Sequence, residues 1–488
     1  MVPSIERALA PRSLSSILKV SSALLISACR YHGVPADELG DGGPLPDDLT
    51  TLDAAPPEPD PTPPAAIGAN VFGDDAVLEV RLTLSEQDRL SLELDGDDET
   101  YVPAAAELVT PAGVQQLARI GMRHKGAYSL HHCYDEVTGI RSYQDTCARL
   151  SYKLKFDEYV VDSRFDGLKR LNLHSSSGDG TRMRELLGYG LFRDFGVLAP
   201  RTALAKVYVN GEYEGLFIAV EEIDGRFAKA HFAAGGDGNL YKEVWPTGGL
   251  DASAAIAALN TNEDVADVSA FLAFAQAITA ANNPTFAADM ASWVDLDHTL
   301  RYVAVDRALK NWDGIMAFYS ATSPHNFFWY HDVGGSGRFQ LIPWDMDNTS
   351  WDFDPYMAPQ SWVTAPPVPD WNEEPISCSS RSVWDQSGNT TVVPPRCDRF
   401  LDMLAETHFD EFREVAAELL AGPFAMAALE ERVDRLSALL EPIVAEDPLL
   451  NSSQWQAERD GFKTVLGRNR DDFAALVAAG LMREGARP

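Results

Sequence analysis

The sequence predicts an α+β protein in which a strand-rich first part, residues 70–245, precedes a helix-rich second part, residues 246–488. Three observations support this prediction. Segments such as LSYKLKF (150–156) alternate apolar and polar residues, which is the pattern of a half-buried strand. The second part contains long segments that predict helices. One strand-like segment within it ends in a run of carboxylates.

Local signals predict the elements of the first part. Segment 181–195 carries an apolar stripe at i, i+3 and i+4 and ends at Gly196, which predicts one central helix. Asn210-Gly211 is a strong hairpin signal between two strands. The predicted strands are 76–83, 101–108, 117–124, 150–156, 167–174, 202–209, 213–221 and 240–243, with short helices at 85–92 and 227–232.

The second part predicts helices and one hairpin. The hairpin joins 327–331 to 338–342 across Gly334-Gly335, and residues 355–397 form an irregular excursion rich in Pro, Trp and Ser. The predicted helices are 254–281, 296–312, 400–412, 425–446 and 451–479.

Composition limits the classes of function. The chain has 488 residues, 45% of them hydrophobic, and a formal net charge of −33. This charge argues against nucleic acid as a partner, because nucleic-acid binding depends on Lys and Arg that neutralise phosphates. It also argues against adsorption to anionic lipid, and it is typical of a solvated acidic surface.

The N-terminus predicts a processing signal. Residues 1–28 combine basic residues with a short apolar run, Ser21–Ala28, that cannot span a bilayer. Leu25–Cys29 resembles a bacterial lipobox, which implies cleavage before Cys29 and a lipid on that cysteine. An ordinary signal peptide or a frayed helix with a stray cysteine is the alternative. Residues 29–69, rich in Pro and Asp, predict a disordered tether.

Four further cysteines form two pairs that are local in sequence. Cys133–Cys147 and Cys378–Cys397 are the simplest of three possible disulfide connectivities, and disulfides agree with export. Metal binding by these cysteines is the rival interpretation, although no C-x-x-C or paired-His spacing supports it.

Acidic and amide side chains cluster around the predicted hairpin of the second part. Asp345 and Asp347 follow the strand-like segment FQLIP, and Asp313 and Asn326 lie upstream. Such short oxygen-bearing side chains suit a hard divalent cation such as Mg²⁺. A calcium-binding carbohydrate module would use the same carboxylates, and we therefore keep it as an alternative.

Four blocks, taken in order, resemble the CotH kinase family of spore-coat-protein-H-like atypical protein kinases. Each block is weak alone, but the order is specific, and the resemblance extends over roughly residues 76–481. The blocks are IGMRHKG (120–126) with SYKLKFD (151–157), LKRLNLHSSSGDGTRMRELL (168–187), VYVNGEYEGLFIAVEEID (207–224) with LYK (240–242), and KNWDG, HNFFWYHD and FQLIPWDMD between 310 and 347.

The resemblance implies a protein-kinase-like two-lobed fold, with a strand-rich N-lobe and a helical C-lobe. It implies transfer of the γ-phosphoryl group of ATP to Ser or Thr, with Mg²⁺. Asp313 is then the expected catalytic carboxylate. Asp345, Asn326 and Asp347 are the expected metal ligands, whereas we expect Asp352 to be a solvated loop residue.

Cations must hold the phosphates. Lys155 is preferred and Lys153, on the same strand face, is second, while Glu185 on the central helix is expected to pair with the chosen lysine. Arg123 and Lys125, which precede Gly126, are expected to cover phosphates, although the usual G-x-G-x-x-G loop is absent. Glu222, at the end of a predicted strand, is expected near adenine.

The resulting hypothesis is an extracytoplasmic, lipid-anchored monomer that phosphorylates secreted or surface proteins, and also itself. The membrane would be reached only through the lipid on Cys29. The rival hypothesis is a catalytically inactive surface lipoprotein that acts as an adhesion, binding or structural module. The active enzyme requires Lys155 to face Asp313 and Asp345 across one groove.

Overall fold

The structure is a computed structural model that describes residues 64–482 apart from residues 74, 95–98, 136–140, 233–234, 248, 318–323, 353–367, 369, 376 and 383–390. The predicted signal peptide and most of the predicted tether lie outside the described residues. The end of that tether, residues 64–69, contains a 3₁₀ helix, Pro64–Ala66, and the buried residue Ile67. The folded region therefore begins before residue 70, because Ile67 and Val71 anchor the chain in the core.

Seven strands form a closed sheet in the order β1-β2-β3-β4-β5-β7-β6. All neighbours are antiparallel except β1 and β6, whose parallel pairing closes the sheet. The strands are β1 (Val77–Thr83), β2 (Val102–Thr110), β3 (Gly113–Lys125), β4 (Ser151–Lys155), β5 (Arg170–His174), β6 (Thr202–Val209) and β7 (Glu212–Val220).

Strand alternation gives the closed sheet two different faces. In β4 the side chains of Tyr152 and Leu154 are buried inside, whereas Lys153 and Lys155 lie on the outer face. The outer face of β6 and β7, including Leu216, contributes instead to a second and larger core. The closed sheet therefore rests against the helices by one side of its outer surface.

The second core contains helices from both parts of the sequence and a three-stranded sheet, β8 (Leu240–Lys242), β9 (Phe327–His331) and β10 (Phe339–Pro343), in the order β10-β9-β8. Two helices of the described chain lie outside this core: α1 (Glu86–Leu94) packs on the core inside the closed sheet, and α2 (Ala127–Cys133) belongs to a small separate cluster. The helices that contribute to the second core are α3 (Arg184–Asp194), α4 (Gly225–His231), α5 (Ala252–Ala257), α6 (Ser269–Ala280), α7 (Phe286–Met290), α8 (Leu296–Ala308), α9 (Arg399–Ala421), α10 (Met426–Glu446) and α11 (Ser452–Ala479).

The α+β class is confirmed, but several predicted helices differ from the structure. The predicted helix 254–281 is two helices, α5 and α6, because Asn260 and Thr261 between them bond to β8 instead of continuing a helix. The predicted helix 296–312 ends at Ala308, and α2 was not predicted. The strand β8 belongs to the predicted first part of the sequence, but it pairs with β9, which belongs to the second part.

Both predicted disulfides are present, Cys133–Cys147 and Cys378–Cys397. Much of the excursion 355–397 lies outside the described residues. Its described part includes Trp371, which is fully buried against Phe412. None of the helices in the described part of the chain is long and apolar enough to cross a membrane.

Candidate functional site

The β9–β10 hairpin places two predicted ligands side by side. Asn326 directly precedes β9, and Asp345 follows β10 by two residues. Their φ angles are 57° and 52°; positive values are uncommon outside glycine and cluster at functional turns. The Trp344 N–H donates to the Asn326 carbonyl at 2.9 Å, and the Asp345 N–H donates to the Tyr189 hydroxyl at 2.8 Å. The first bond joins the two turns, and the second holds the Asp345 turn to α3.

The turn directly after α8 carries Asp313. Asn311 is fully buried, donates from Nδ2 to Asp306 at 2.9 Å and accepts the Asp313 N–H at 3.3 Å. A Cβ at Gly314 would clash with both Asn311 and Asp306, so only glycine fits there. Asp306 was not predicted, because α8 carries several charged side chains and the sequence alone does not mark Asp306 as a buried one. Burial raises its pKa to about 7.

The carboxylate of Asp313 is fixed by two amides. Asn326 Nδ2 donates to Asp313 Oδ2 at 2.9 Å, and Asn348 Nδ2 donates to the same oxygen at 3.1 Å. Burial, followed by repulsion from Asp345, raises the pKa of Asp313 to about 7. Asn348 was not predicted. The arrangement gives a carboxyl that accepts a proton near neutral pH.

Two further carboxyls share this negative environment. Burial, followed by repulsion from Asp345, raises the pKa values of Asp347 and Glu185 well above their usual range. Asp347 Oδ1 is buried and has no hydrogen-bond partner among the described residues. Ligand atoms of His174, Glu185 and Asp345 all lie within 4.8 Å of one another. This concentration of like charge favours a bound cation.

Helix α3 is held against the site at three points. Asp179 accepts the backbone N–H groups of Met183 and Arg184, both at 2.9 Å, at the start of the helix. Gly188 allows close contact, since a Cβ there would lie 2.9 Å from Met346 Cβ. Tyr189, one residue further on, holds the Asp345 backbone. These contacts fix Glu185 beside Asp345.

Lys125 approaches this group from the end of β3. Its Nζ lies 2.5 Å from His174 Nε2, and His174 Nδ1 lies 2.8 Å from Glu185 Oε1. The ammonium is 5.2 Å from the centre of the Trp344 ring. Burial lowers the pKa of Lys125 to about 8, although Asp345 acts in the opposite direction. His174 was not predicted; it ends β5 on the same face as Asn172.

Lys153 lies on the outer face of β4, two residues from the end of the strand that pairs with Lys125. It forms an ion pair of 2.6 Å with Glu222, which also accepts from Asn172 Nδ2 at 2.7 Å. Burial acts to raise the pKa of Glu222, but Lys153 and Asn172 outweigh it and lower that pKa to about 2. Glu222 follows β7, the neighbour of β5, by two residues, and its side chain is turned toward the lysine.

The structure does not bring Lys155 or Arg123 into this group. Lys155 pairs with Glu158 at 2.6 Å, and Arg123 pairs with Glu99. Lys155 does share the outer face with Lys153, as alternation predicted. However, alternation gives a face and not the distance along it, and Lys155 stands two residues further from the end where Lys125 and His174 meet.

The predicted residues are therefore partly brought together. Asp313, Asn326, Asp345, Asp347, Glu185, Lys125, Lys153 and Glu222 converge through the bonds and charge interactions described above. An open cleft of about 490 Å³, lined by residues such as Asn282, Arg396 and Asp402, contains none of them.

Comparisons with known proteins agree with the sequence blocks. A family model described as CotH kinase protein matches residues 122–470. The chain is also similar to the inner spore coat protein H of Bacillus subtilis (strain 168), with 26% identity over 216 residues, 41% of this chain and 54% of that protein. The chain thus spans about half the length of this curated relative.

Proposed function

The chain belongs to the CotH kinase protein family, and we propose that it is a protein kinase that transfers the γ-phosphoryl group of ATP to Ser or Thr side chains. The observation that carries the proposal is the convergence of Asp313, Asn326 and Asp345 with the basic end of the closed sheet at Lys125. Phosphoryl transfer requires mainly positioning and neutralisation of charge. The proposal includes a two-lobed, kinase-like arrangement with the site between the closed sheet and the helices.

The residues present fit a divalent cation. Buried carboxyls with raised pKa values, and an Asp347 oxygen that no described residue contacts by a hydrogen bond, form a donor set of the kind that Mg²⁺ prefers. Asp345, Asp347 and Asn326 are the proposed ligands, and Glu185 lies near enough to join them. When bound, Mg²⁺ would supply positive charge to the phosphate oxygens of ATP.

Asp313 is proposed to act on the substrate hydroxyl. Both side-chain hydrogen bonds to its carboxylate among the described residues go to Oδ2, which leaves Oδ1 for the hydroxyl. As the hydroxyl oxygen bonds to the γ-phosphorus, the bond from that phosphorus to the β–γ bridging oxygen breaks. The hydroxyl proton passes to Asp313, and ADP leaves with the electron pair.

Lys125 is proposed as the main phosphate cation, with Lys153 next to it. The choice follows from contacts: Lys153 and Lys155 each have a carboxylate at 2.6 Å, whereas Lys125 contacts an imidazole. Glu222, at the end of β7, is proposed to hold Lys153 and to lie toward the nucleoside.

The location of the protein remains a proposal that rests on export signals. Two disulfides and a relative named as a spore coat protein support an extracytoplasmic location. The proposed lipid anchor rests on the lipobox-like Leu25–Cys29 alone. Secreted or surface proteins are then the proposed substrates, with autophosphorylation as an additional activity of a monomer.

Mass spectrometry after incubation of the protein with ATP and Mg²⁺ tests the proposal. We expect phosphate on Ser or Thr of the protein itself or of an added secreted-protein fraction. The Asp345→Asn variant should give none. Asp352→Asn is the matched control, since Asp352 is about half exposed and pairs with Arg468, and it should retain the activity. A folded wild type without phosphorylation or nucleotide binding would instead support the non-catalytic surface module.

A further inference from the structure

The contact between Lys125 and Glu185 is indirect. Lys125 lies at the end of β3 and Glu185 in the first turn of α3, and the side chain of His174 stands between them. The imidazole uses both nitrogens, with Nε2 2.5 Å from Lys125 Nζ and Nδ1 2.8 Å from Glu185 Oε1. We propose that His174 is a positioning residue that connects the cation of the closed sheet to the carboxylate of α3.

One neutral tautomer satisfies both contacts. The Lys125 ammonium only donates hydrogen bonds, so Nε2 is the ring nitrogen without a hydrogen. Nδ1 of the neutral ring then carries the hydrogen and donates to a Glu185 oxygen, which accepts in either protonation state of that carboxyl. Nε2 then has a free lone pair, and this lone pair accepts a hydrogen bond from the Lys125 ammonium. A doubly protonated ring would place an N–H group against an ammonium, which has no acceptor. The geometry therefore assigns the hydrogen to Nδ1.

The contacts from Glu185 through His174 to Lys125, called the relay below, hold Lys125 without cancelling its charge. Lys153 and Lys155 are each neutralised by a carboxylate at 2.6 Å. Among the described residues no carboxylate lies within ion-pair distance of Lys125, whose partners are the imidazole and the face of Trp344. An ammonium positioned by neutral groups keeps its full charge for an anion such as the phosphates of a nucleotide.

The imidazole is itself held in place. His174 is 6% exposed, and the edge of its ring meets Trp344 with the ring centres 5.7 Å apart. Glu185 is equally fixed, because Gly188 and Tyr189 of the same helix contact the turn that contains Asp345. A continuous chain of contacts thus runs from α3 through His174 to Lys125.

Nucleotide binding by the full-length protein tests this inference, which rests on the proposed function. Affinities for ATP with Mg²⁺ and for adenosine are measured by calorimetry. His174→Leu should weaken ATP binding about tenfold, the equivalent of one charge-assisted hydrogen bond, and leave adenosine binding within about twofold. His174→Gln, whose amide oxygen accepts from Lys125, should restore most of the loss. Equal losses for ATP and adenosine, or no loss, would overturn the assignment.

His231 supplies a matched control. It is also part of a His–carboxylate contact, at 3.1 Å from Glu221, but it lies on α4, and no lysine of the described residues contacts its ring. His231→Leu should therefore leave both affinities unchanged. A loss of ATP affinity as large as that of His174→Leu would show that any buried His–Glu contact has this effect.

Magnetic resonance of the protein without nucleotide separates this inference from the proposed function. ¹⁵N spectra of labelled histidine should show His174 as the neutral Nδ1–H tautomer, with an Nε2 signal that moves in Lys125→Met. The opposite tautomer, or nitrogen coupling from His174 in the electron spin echo of bound Mn²⁺, would make the ring a metal ligand and overturn the relay. If wild type does not bind ATP, the proposed function fails, and the tautomer still decides whether the relay exists.

Discussion

Two groups of buried charged side chains in this protein differ in their balance of charge. Arg149 and Asp447 form an ion pair of 2.7 Å that is almost fully buried and joins the closed sheet to the end of α10. Asp447 also accepts the backbone N–H groups of Leu216 and Leu449, at 2.6 and 2.9 Å. Around Asp313, by contrast, several carboxyls repel one another, and their pKa values are raised.

This difference distinguishes buried charges that stabilise the fold from buried charges that are proposed to serve the function. In the Arg149–Asp447 pair each charge is matched, so removal of one partner leaves the other buried and costs stability. Around Asp313 negative charge is in excess, which lowers the stability of the folded protein and which the proposed cation would offset. The same Asp→Asn substitution should therefore have opposite effects on stability in the two groups.

The largest expected effect is on turnover. Asp313→Asn should lower kcat about 10³-fold, or ~4 kcal/mol in the barrier, because the substrate hydroxyl loses its proton acceptor. The affinity for ATP should change little, since Asp313 is proposed to contact the acceptor hydroxyl. Initial-rate kinetics with a phosphorylated substrate measure both. A variant with wild-type kcat would remove Asp313 from the catalytic role.

The next largest effect is expected at the matched pair. Asp447→Asn should lower the free energy of unfolding by about 3 kcal/mol, because Arg149 stays buried without a counter-charge. Urea unfolding measures this. Asp472→Asn is the control: its partner Lys310 is on the surface and Asp472 is 61% exposed, so its loss should stay below about 1 kcal/mol. Equal losses in the two variants would contradict the contrast between the groups.

Asp313→Asn should raise the free energy of unfolding by about 1–2 kcal/mol at pH 8 without metal, since it removes a carboxylate that is unfavourable when ionised. The pKa of Asp313 is raised to about 7 in the folded protein from 3.8, so the folded state binds the proton more tightly. The wild-type penalty is complete above pH 7 and disappears toward pH 4. Thermal unfolding against pH measures this gain, and Mg²⁺ should reduce it. A loss of stability at pH 8 would mean that Asp313 is a structural residue.

The smallest effect compares two lysines of the closed sheet. Lys125→Met should weaken the binding of ATP with Mg²⁺ about tenfold, or ~1.4 kcal/mol, whereas Lys155→Met should leave it within about twofold. Lys155 is occupied by Glu158 and lies near the ring of Tyr101. Calorimetric titration of the two variants distinguishes them. The reverse order would restore Lys155 as the phosphate cation.

Much of the fold follows from local patterns. Alternation predicted the faces of β4, and Asn210-Gly211 predicted the β6–β7 hairpin. The order of four sequence blocks indicated the family. The break between α5 and α6 was missed, because the polar residues that end the helix do so by bonding to β8, a contact that is distant in sequence.

The candidate site was predictable in its residue types and less so in its partners. Asn326 and Asp345 were singled out because an amide and a carboxylate next to a strand end stand out in sequence, whereas Asp313 was chosen through the family resemblance of the KNWDG block. The choice among three lysines depends on the register of β3, β4 and β5, which alternation does not determine. His174 acts through contacts with residues 49 and 11 positions away, so no local pattern marks it.

Thermal unfolding with ATP and Mg²⁺ tests the central proposal most directly, namely that an acidic group and a basic sheet end hold a metal–nucleotide complex between them. At about 100 times the Kd, binding to the folded state should add roughly 2.7 kcal/mol of stability, and it should require both ATP and Mg²⁺. The Asp345→Asn variant should show no such increase. No stabilisation of wild type at millimolar ATP and Mg²⁺, or equal stabilisation of the variant, would contradict the account.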